Sequence, residues 1–368
     1  MTGSNQQPEK HPDFVFLTHE PMNGSPPMPF LVQEFITPVD LFFIRNHGTV
    51  PQINPDDFRL TIDGLVNKPL KLTLDALRQF PHVEVMATLQ CAGNRRQELI
   101  DIAPIPDEIA WGGAAISTGV WGGIRLRDVL INAGFDRKAR HIAFTGVDEV
   151  ERKEDTFGFG GSIPVEKALM PETLLAYEMN GEPLTPVHGY PLRVVVPGYI
   201  GARSVKWLTR ITAQSEPSSN YFQRKAYKLF SPNATPESVD WEHDGIMMGE
   251  NSLNAVICYP GDNDTLAPGE ISVMGYALGD GYNQIEKVEV SGDSGRSWSR
   301  ATFLTDNQDL WAWRLWEARL QIDITTTHIV ARATDTAGNS QPRDTQEIWN
   351  FKGYGNNAWH RLKVQVRI

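Results

Sequence analysis

Apolar and polar residues alternate most clearly over residues 82–91. One face of this segment carries Val83, Val85, Ala87, Leu89 and Cys91. The other face carries His82, Glu84, Thr88 and Gln90. A period of two predicts a β-strand with one buried face, and that face ends in a cysteine. Shorter apolar runs predict further strands at 41–44, 141–147 and 192–198.

Two segments of the same region carry helix signals. Thr73 is suited to the N-cap of a helix in LTLDALRQF, and Pro81 ends that helix. A second helix is predicted in IRLRDVLINAGF, where Gly134 supplies the C-terminal cap. Strands and helices are therefore mixed in the first part of the chain.

The pattern changes after the segment SPNATPESVDWEHDG (231–245), whose Pro, Ser, Asn and Asp content is typical of a linker. Short strand-like runs follow, separated by turn sequences such as GDSGRS and TAGNSQP. Regularly spaced short strands predict an all-β sandwich. The predicted fold class is α+β. It has a disordered lead at 1–12, a mixed α/β domain at 13–240 and a sandwich at 241–368.

Composition narrows the class of protein. Apolar residues form 40% of the chain and charged residues 21%, as in soluble globular proteins. The formal net charge of −11 argues against nucleic acid or an anionic membrane as a partner. No apolar run is long enough to span a membrane, and the polar N-terminus does not resemble a signal peptide. We therefore expect a cytoplasmic protein, or a periplasmic one if a signal peptide was removed from it.

The chain has only two cysteines, Cys91 and Cys258, which are far apart and predict no disulfide framework. Cys91 stands in LQCAGNRR, beside a glycine turn and two arginines. A free cysteine at the end of an apolar face is commonly a small buried hydrophobe. The positive flank instead favours the thiolate, which serves as a nucleophile or as a soft metal ligand. The residues alone leave these three roles open.

Further hydrogen-bond donors stand at the ends of predicted strands or after glycine turns. They are Arg45, Asn46, His47, His188, Arg193, Arg203, Ser204 and Lys206. Each of them is also explained as a solvated or ion-paired side chain. Several such groups in an acidic protein would nevertheless suit a bound phosphate and an anionic substrate.

Six motifs, taken in order, resemble the sulfite oxidase family of molybdenum enzymes. They are FFIRNHG, LQCAGNRR, WGGAAISTGVWGGIRLRDVL, LLAYEMNGEPL, HGYPLRVVVPGYIGARSVKWL and WNFKGYGNNAWHR. The resemblance runs from about residue 40 to the C-terminus. It implies a molybdopterin-binding domain followed by an immunoglobulin-like sandwich that forms a homodimer.

The resemblance also implies a molybdenum–molybdopterin cofactor, with Cys91 as the protein's sulfur ligand to the metal. The positions that match cofactor-binding residues of the family are Arg45, Asn46, His47, Asp148, His188, Arg193, Ser204, Val205 and Lys206. The positions that match the substrate pocket are Arg45, Arg96, Trp111, Tyr227 and Lys352. Lys352 replaces an arginine of the family's sulfite oxidases. The lysine keeps the positive charge but loses the planar pair of donors.

The implied reaction is the oxidation of sulfite to sulfate by oxygen-atom transfer. No haem attachment motif and no cytochrome b5-like or flavin segment is recognised, so we expect neither haem nor flavin. The electron acceptor is then external, such as a cytochrome or oxygen. Lys352 leaves an alternative open, the reduction of nitrate or of another oxyanion or S-oxide. A non-catalytic binding protein is a further alternative, against which the intact CAGNRR motif argues.

Overall fold

The computed structural model describes residues 9–152 and 155–367, and strands dominate that part of the chain. Its helices are short. The α-helices are Leu74–Leu77, Arg96–Ile100, Leu126–Ala133 and Val165–Ala168. The 3-10 helices are Met28–Val32, Pro186–His188, Gly201–Arg203 and Thr345–Ile348, and a π-helix spans Phe222–Ala226. Within the described residues, no helix combines the length and the apolar character needed to cross a membrane.

Both predicted helices are confirmed, together with the caps at Thr73 and Gly134, but the first helix ends at Leu77 and so is not ended by Pro81. The Thr73 hydroxyl accepts a hydrogen bond from the backbone N–H of Ala76 at 3.1 Å, which satisfies one free donor of the first turn. Gly134 follows the helix Leu126–Ala133 with a φ of 64°, the left-handed conformation that favours glycine.

Two sheets form the first domain. One sheet has the strand order Gly160–Pro164, His141–Gly146, Leu208–Gln214, Leu60–Gly64 and Leu70–Leu72. The other has the order Glu182–Pro183, Leu174–Met179, Ile116–Arg125 and His82–Gln90, with Arg193–Val195 also paired to Leu174–Met179. The pairing of Leu208–Gln214 with Leu60–Gly64 is parallel, and the other pairings in these sheets are antiparallel. Both sheets and the helix Leu126–Ala133 contribute to one buried core.

Smaller pairings complete this domain and lie close to the site described below. A three-stranded sheet has the order Val15–His19, Met22–Ser25 and Ile44–Arg45. Two hairpin-like pairs join Val150–Arg152 to Asp155–Phe157 and Lys228–Leu229 to Ile246–Met247. The strand predicted at 41–44 is mostly loop, because pairing begins only at Ile44, although residues 41–43 are buried as their apolar character requires.

The alternating strand is confirmed as His82–Gln90, but its polar face is not uniformly exposed. His82 and Glu84 are exposed, as predicted. Thr88, on the same face, is buried instead. Its hydroxyl accepts a hydrogen bond from the backbone N–H of Trp313 at 2.8 Å. The second domain therefore covers the end of the strand that leads to Cys91.

The second domain contains two antiparallel four-stranded sheets that share one core. The first has the order Asn254–Tyr259, Gly269–Leu278, Arg314–Ile322 and Thr302–Phe303. The second has the order Ser299–Arg300, Ile285–Ser291, His328–Asp335 and His360–Lys363. A short parallel pair joins Thr265–Leu266 to Gln365–Val366.

The predicted disordered lead, 1–12, falls mostly on residues 1–8, which lie outside the described residues. Lys10 belongs to the described part and packs against the first domain. Its ammonium donates to the carbonyl oxygens of Val39 at 2.7 Å and Phe42 at 2.8 Å. The boundary predicted at residue 240 stays a prediction.

Candidate active site

Cys91 follows directly after the strand His82–Gln90 and is buried in the turn that ends it. The backbone N–H of Gly93 points to the Cys91 sulfur at 3.4 Å. The turn is held by a hydrogen bond from the N–H of Asn94 to the Cys91 carbonyl, at 2.9 Å. A backbone N–H directed at sulfur stabilises the thiolate, the form that binds metals.

A cavity of about 700 Å³, its open mouth included, lies in front of this sulfur. Ten of the predicted residues line it, namely Arg45, Asn46, His47, Cys91, Asp148, His188, Arg193, Ser204, Lys206 and Tyr227. Apolar side chains such as Phe42, Phe159 and Trp207 complete the wall. Val205 differs from its predicted neighbours, because its side chain is buried in the core of the first domain. Its backbone carbonyl accepts a hydrogen bond from the N–H of Val194 at 2.8 Å.

Two cations of the cavity, buried Arg193 and half-buried Lys206, bond to uncharged oxygens. The Arg193 guanidinium donates to the carbonyl oxygens of His188 and Ser204, each at 3.0 Å. The Lys206 ammonium donates to the carbonyl of Val187 at 2.9 Å and to the side-chain oxygen of Asn46. Burial lowers the pKa of Arg193 to about 9 and, with Arg193 nearby, lowers the pKa of Lys206 well below its usual value. A bound anion would relieve this cost.

Asn46 adds an unsatisfied donor to the same wall. Its side-chain nitrogen is buried and has no hydrogen-bond partner within the described residues. A buried donor of this kind is normally paired. The buried Cys91 sulfur, the two cations and the free amide together fit an anionic group that carries a metal. The residues present therefore suit a molybdopterin cofactor.

Two histidines of the wall are neutral at neutral pH. Burial lowers the pKa of His47 and of His188 well below the usual value, and neighbouring cations lower both further. The His47 Nε2 lies 2.7 Å from the Tyr227 hydroxyl, and its ring stacks on Phe159 with centroids 5.1 Å apart. Burial raises the pKa of Asp148 to about 6, and its carboxyl accepts the N–H of Phe159 at 3.1 Å.

Arg45 and Tyr227 are the two residues predicted for the substrate pocket that line the cavity. Although burial alone would lower the pKa of Arg45, the groups around it, Tyr227 and Cys91 foremost, raise it above its usual value. The guanidinium therefore stays charged. Burial raises the pKa of Tyr227 to about 12, so its hydroxyl stays a donor. Tyr227 follows the π-helix Phe222–Ala226, and irregular helical turns of this kind often occur at functional sites.

Arg96 and Lys352 are not among the residues that line the cavity, but they come together on either side of Glu108. One Glu108 oxygen lies 3.4 Å from Arg96 Nη2, and the other contacts the Lys352 ammonium. Arg96 also donates to the carbonyls of Gly353 at 3.1 Å and Ile109 at 2.8 Å. Trp111, three residues after Glu108 in the sequence, is fully buried. Its indole N–H has no hydrogen-bond partner among the described residues.

Three residues that contact the predicted site residues were not predicted from the sequence. Tyr354 stacks on Tyr227 at 5.1 Å between centroids and lies under the Arg96 guanidinium. The Lys10 ammonium reaches the Nε2 of His188, at 3.2 Å. Glu108 is the third. Tyr354 had a signal, since it stands two residues after Lys352 in WNFKGYG, whereas Lys10 and Glu108 had none.

Arg95 separates from its neighbour Arg96 and binds the second domain. Its guanidinium donates to Asn254 at 2.7 Å and to the Ala358 carbonyl at 2.8 Å. It also pairs with Glu98 at 2.6 Å. One arginine of CAGNRR thus fixes the domain interface, and the other pairs with Glu108.

Comparison with known proteins agrees with this geometry. Residues 47–222 match the oxidoreductase molybdopterin binding domain, and residues 246–367 match the Mo-co oxidoreductase dimerisation domain. The chain is 39% identical to sulfite oxidase of Arabidopsis thaliana, over 98% of this chain and 96% of that protein. It belongs to the sulfite oxidase family. The resemblance read from the six motifs is therefore confirmed, and the protein is a molybdenum-dependent oxidoreductase.

Other relatives define the range of the family. Human mitochondrial sulfite oxidase is 41% identical, over 98% of this chain and 67% of the relative. The NADH nitrate reductase of Hordeum vulgare is 36% identical, over 97% of this chain and 42% of the relative. The crystal structure of the sulfane dehydrogenase SoxCD from Paracoccus pantotrophus shares the fold. Its TM-score is 0.78 at 24% identity, covering 100% of this chain and 96% of the other. The predicted order of a molybdopterin-binding domain and a dimerisation domain is confirmed.

Proposed function

We propose that this protein oxidises sulfite to sulfate at a molybdenum centre that is bound through Cys91. The observation that carries the proposal is the buried Cys91 sulfur at a cavity that is also lined by Arg45, Arg193, Lys206 and Tyr227. The similarity of the whole chain to proteins named sulfite oxidase supports the same substrate.

The site residues form two sets, one that would bind the cofactor and one that would bind the substrate. Arg193, Lys206 and the backbone around Ser204 would hold the anionic end of the cofactor, where their buried charge is compensated. Asn46 would donate its free N–H to it, and Cys91 would supply the sulfur ligand. When bound, the molybdenum cofactor supplies oxygen-atom transfer and accepts two electrons.

The substrate side acts by charge and hydrogen bonding. Sulfite and sulfate are dianions, and Arg45, Arg96 and Lys352 would neutralise them in a site with little water. The Tyr227 hydroxyl would donate to an oxygen of the bound anion. In the overall reaction sulfite gains one oxygen atom from water and releases two electrons and two protons. An external acceptor, a cytochrome or oxygen, would take the electrons.

Metal analysis combined with a turnover assay tests the proposal. Protein produced with ample molybdate is expected to contain about one molybdenum atom per chain. It is also expected to reduce ferricyanide when sulfite is added. Full molybdenum content without sulfite oxidation would disprove the substrate, and protein without molybdenum would disprove the cofactor.

The second candidate function is reduction of nitrate or of another oxyanion or S-oxide. Lys352 favours it, since the lysine lacks the fork of donors that arginine offers. The nitrate reductase relative also supports it, although its identity to this chain is lower than that of the sulfite oxidases. Turnover of nitrate with a reduced viologen, faster than sulfite oxidation, would establish the reductase.

We further propose an immunoglobulin-like sandwich for the second domain and a homodimer for the whole protein. Two antiparallel sheets around a common core support the sandwich, and the dimerisation-domain match supports the dimer. Light scattering is expected to give twice the chain mass of 41.2 kDa. A monomer mass at micromolar concentration would contradict the dimer. The absence of haem and flavin, the cytoplasmic location and the absence of nucleic-acid and membrane partners remain predictions.

A further inference from the structure

A carboxylate occupies the space between two cations of the predicted substrate pocket. Glu108 directs one oxygen to Arg96 Nη2, at 3.4 Å, and the other to the Lys352 ammonium. The three side chains are only 15%, 2% and 17% exposed, respectively, so water screens their charges weakly. A carboxylate that bridges two cations holds them as a bound oxyanion would.

Tyr354 connects this cluster to the cavity. Its ring lies 4.9 Å from the Arg96 guanidinium carbon and 5.7 Å from the Lys352 nitrogen, measured to the ring centroid. The same ring stacks on Tyr227, which lines the cavity. Burial and then the charge of Glu108 raise the pKa of Tyr354, so the carboxylate influences a ring that contacts a cavity residue.

We propose that Glu108 is a resident counterion that competes with the substrate oxyanion for Arg96 and Lys352, and thereby limits the affinity of the pocket for anions. The inference rests on the proposed function, because it takes these two cations as substrate-binding groups. Glu108 lowers the charge supplied by Arg45, Arg96 and Lys352 from +3 to +2. A product dianion such as sulfate is then held less tightly and leaves more readily.

Neutralising the carboxylate is the first test. In the holoenzyme, Glu108→Gln is expected to lower the KM for sulfite by about fivefold to thirtyfold. The same variant should lower the inhibition constant of sulfate by a similar factor, because a repulsive and competing charge is removed. The change in kcat is expected to be smaller than the change in KM. Glu108→Ala should change both constants in the same direction.

Asp101 provides a matched control. It is exposed, follows the helix Arg96–Ile100 and accepts a hydrogen bond from Gln97 at 2.7 Å. Asp101→Asn removes one negative charge near the site without touching either cation. Its KM for sulfite and its sulfate inhibition are expected to stay within about twofold of the wild type.

Sulfate binding gives a readout that does not depend on turnover. Calorimetric titration of the holoenzyme with sulfate should show tighter binding in Glu108→Gln than in the wild type. Sulfate should also raise the thermal midpoint of the variant more than that of the wild type. In the double variant Glu108→Gln/Lys352→Gln the affinity should return toward that of the wild type, because one cation is removed with the anion.

The outcomes separate this inference from the proposed function. An unchanged or weaker sulfate affinity in Glu108→Gln, in protein with normal molybdenum content, would overturn the role of Glu108. A wild type that binds molybdenum but does not oxidise sulfite would overturn the proposed function. In that case the sulfate titrations would still decide whether Glu108 competes with anions.

Discussion

Cys91 and Cys258 are both buried free cysteines, yet their surroundings give them different chemistry. Cys258 lies in an apolar cluster to which both domains contribute, and burial raises the pKa of its thiol. Cys91 instead receives a backbone N–H and faces a cavity with several cations. The alternating pattern predicted that Cys91 is buried. The residues alone left it as a small hydrophobe, a nucleophile or a metal ligand, and its position at this cavity favours one of the two chemical roles.

We predict that Cys91→Ser abolishes activity while the fold is kept. Sulfite oxidation should fall by more than about a hundredfold, because a hydroxyl is a much poorer ligand for a soft metal site than a thiolate. Steady-state rates, molybdenum content and the thermal midpoint are the measurements. Cys258→Ala serves as the control and should keep its turnover per molybdenum. Undiminished activity in Cys91→Ser would refute the ligand role.

We predict that replacing Lys206 does not destabilise the apo-protein but weakens its hold on the cofactor. Lys206→Met removes a cation whose pKa burial has lowered well below its usual value. Apo-protein prepared without molybdate should therefore be at least as stable as the wild type in thermal unfolding. Cofactor retention should fall about tenfold or more, because an anion-binding charge is lost. Normal molybdenum content in this variant would show that Lys206 does not hold the cofactor.

Turns between elements position the pocket residues more than the elements themselves do. Gly353 has a φ of 62°, and its carbonyl accepts a hydrogen bond from Arg96. A Cβ atom at this glycine would lie 2.6 Å from the Cγ of Arg96. The turn after WNFK therefore fixes both the backbone of Lys352 and the side chain of Arg96.

We predict that Gly353→Ala raises the KM for sulfite by about tenfold, since the new methyl group displaces Arg96 and the positive φ is strained. Steady-state kinetics measure the change. Gly338→Ala is the matched control, because Gly338 has a φ of 83° and no atom lies within 4 Å of its Cβ position. It should lose about 1 kcal/mol of unfolding free energy with an unchanged KM. Equal KM values in the two variants would disprove the positioning role of Gly353.

At the scale of the whole molecule, the interface between the domains contains an ionisable group that is held neutral. His360 accepts the N–H of Ile257 at 3.1 Å, and its Nε2 lies 3.7 Å from Glu98 of the first domain. Burial lowers the pKa of His360 to about 4, although Glu98 opposes the shift. The unfolded chain therefore takes up a proton at a higher pH than the folded protein does.

This shift predicts a loss of stability in acid. The stability due to neutral His360 is complete above pH 6.5 and is lost as the pH falls toward 4. His360→Asn should remove this dependence. Between pH 7 and pH 4.5 the wild type should lose about 2 kcal/mol more unfolding free energy than the variant. Denaturant titrations at several pH values measure it. Exposed His19 supplies the control, and His19→Asn should follow the wild-type curve.

Much of the site was predictable because its residues belong to short motifs. The caps at Thr73 and Gly134 and the strand before Cys91 agree with the sequence-based predictions. Ten of the predicted site residues line one cavity, and their roles there stay predictions. Val205 did not contribute a side chain to the cavity, because a motif identifies positions but does not show which way each side chain points. The burial of Thr88 was missed for a related reason, since its cover comes from Trp313 in the other domain.

The sequence by itself determined the local elements, the family and the thiolate candidate, since hydrophobic period, capping and motif order depend on residues close together in the chain. Tertiary structure alone decided that Arg95 enters the domain interface and that Arg96 pairs with Glu108. It also brought Glu108 to Lys352, 244 positions away, and Lys10 to His188. Such contacts depend on how the sheets and domains pack, and no local sequence pattern shows which distant residues will meet. Whether Glu108 weakens anion binding is therefore a question that only the folded pocket could raise.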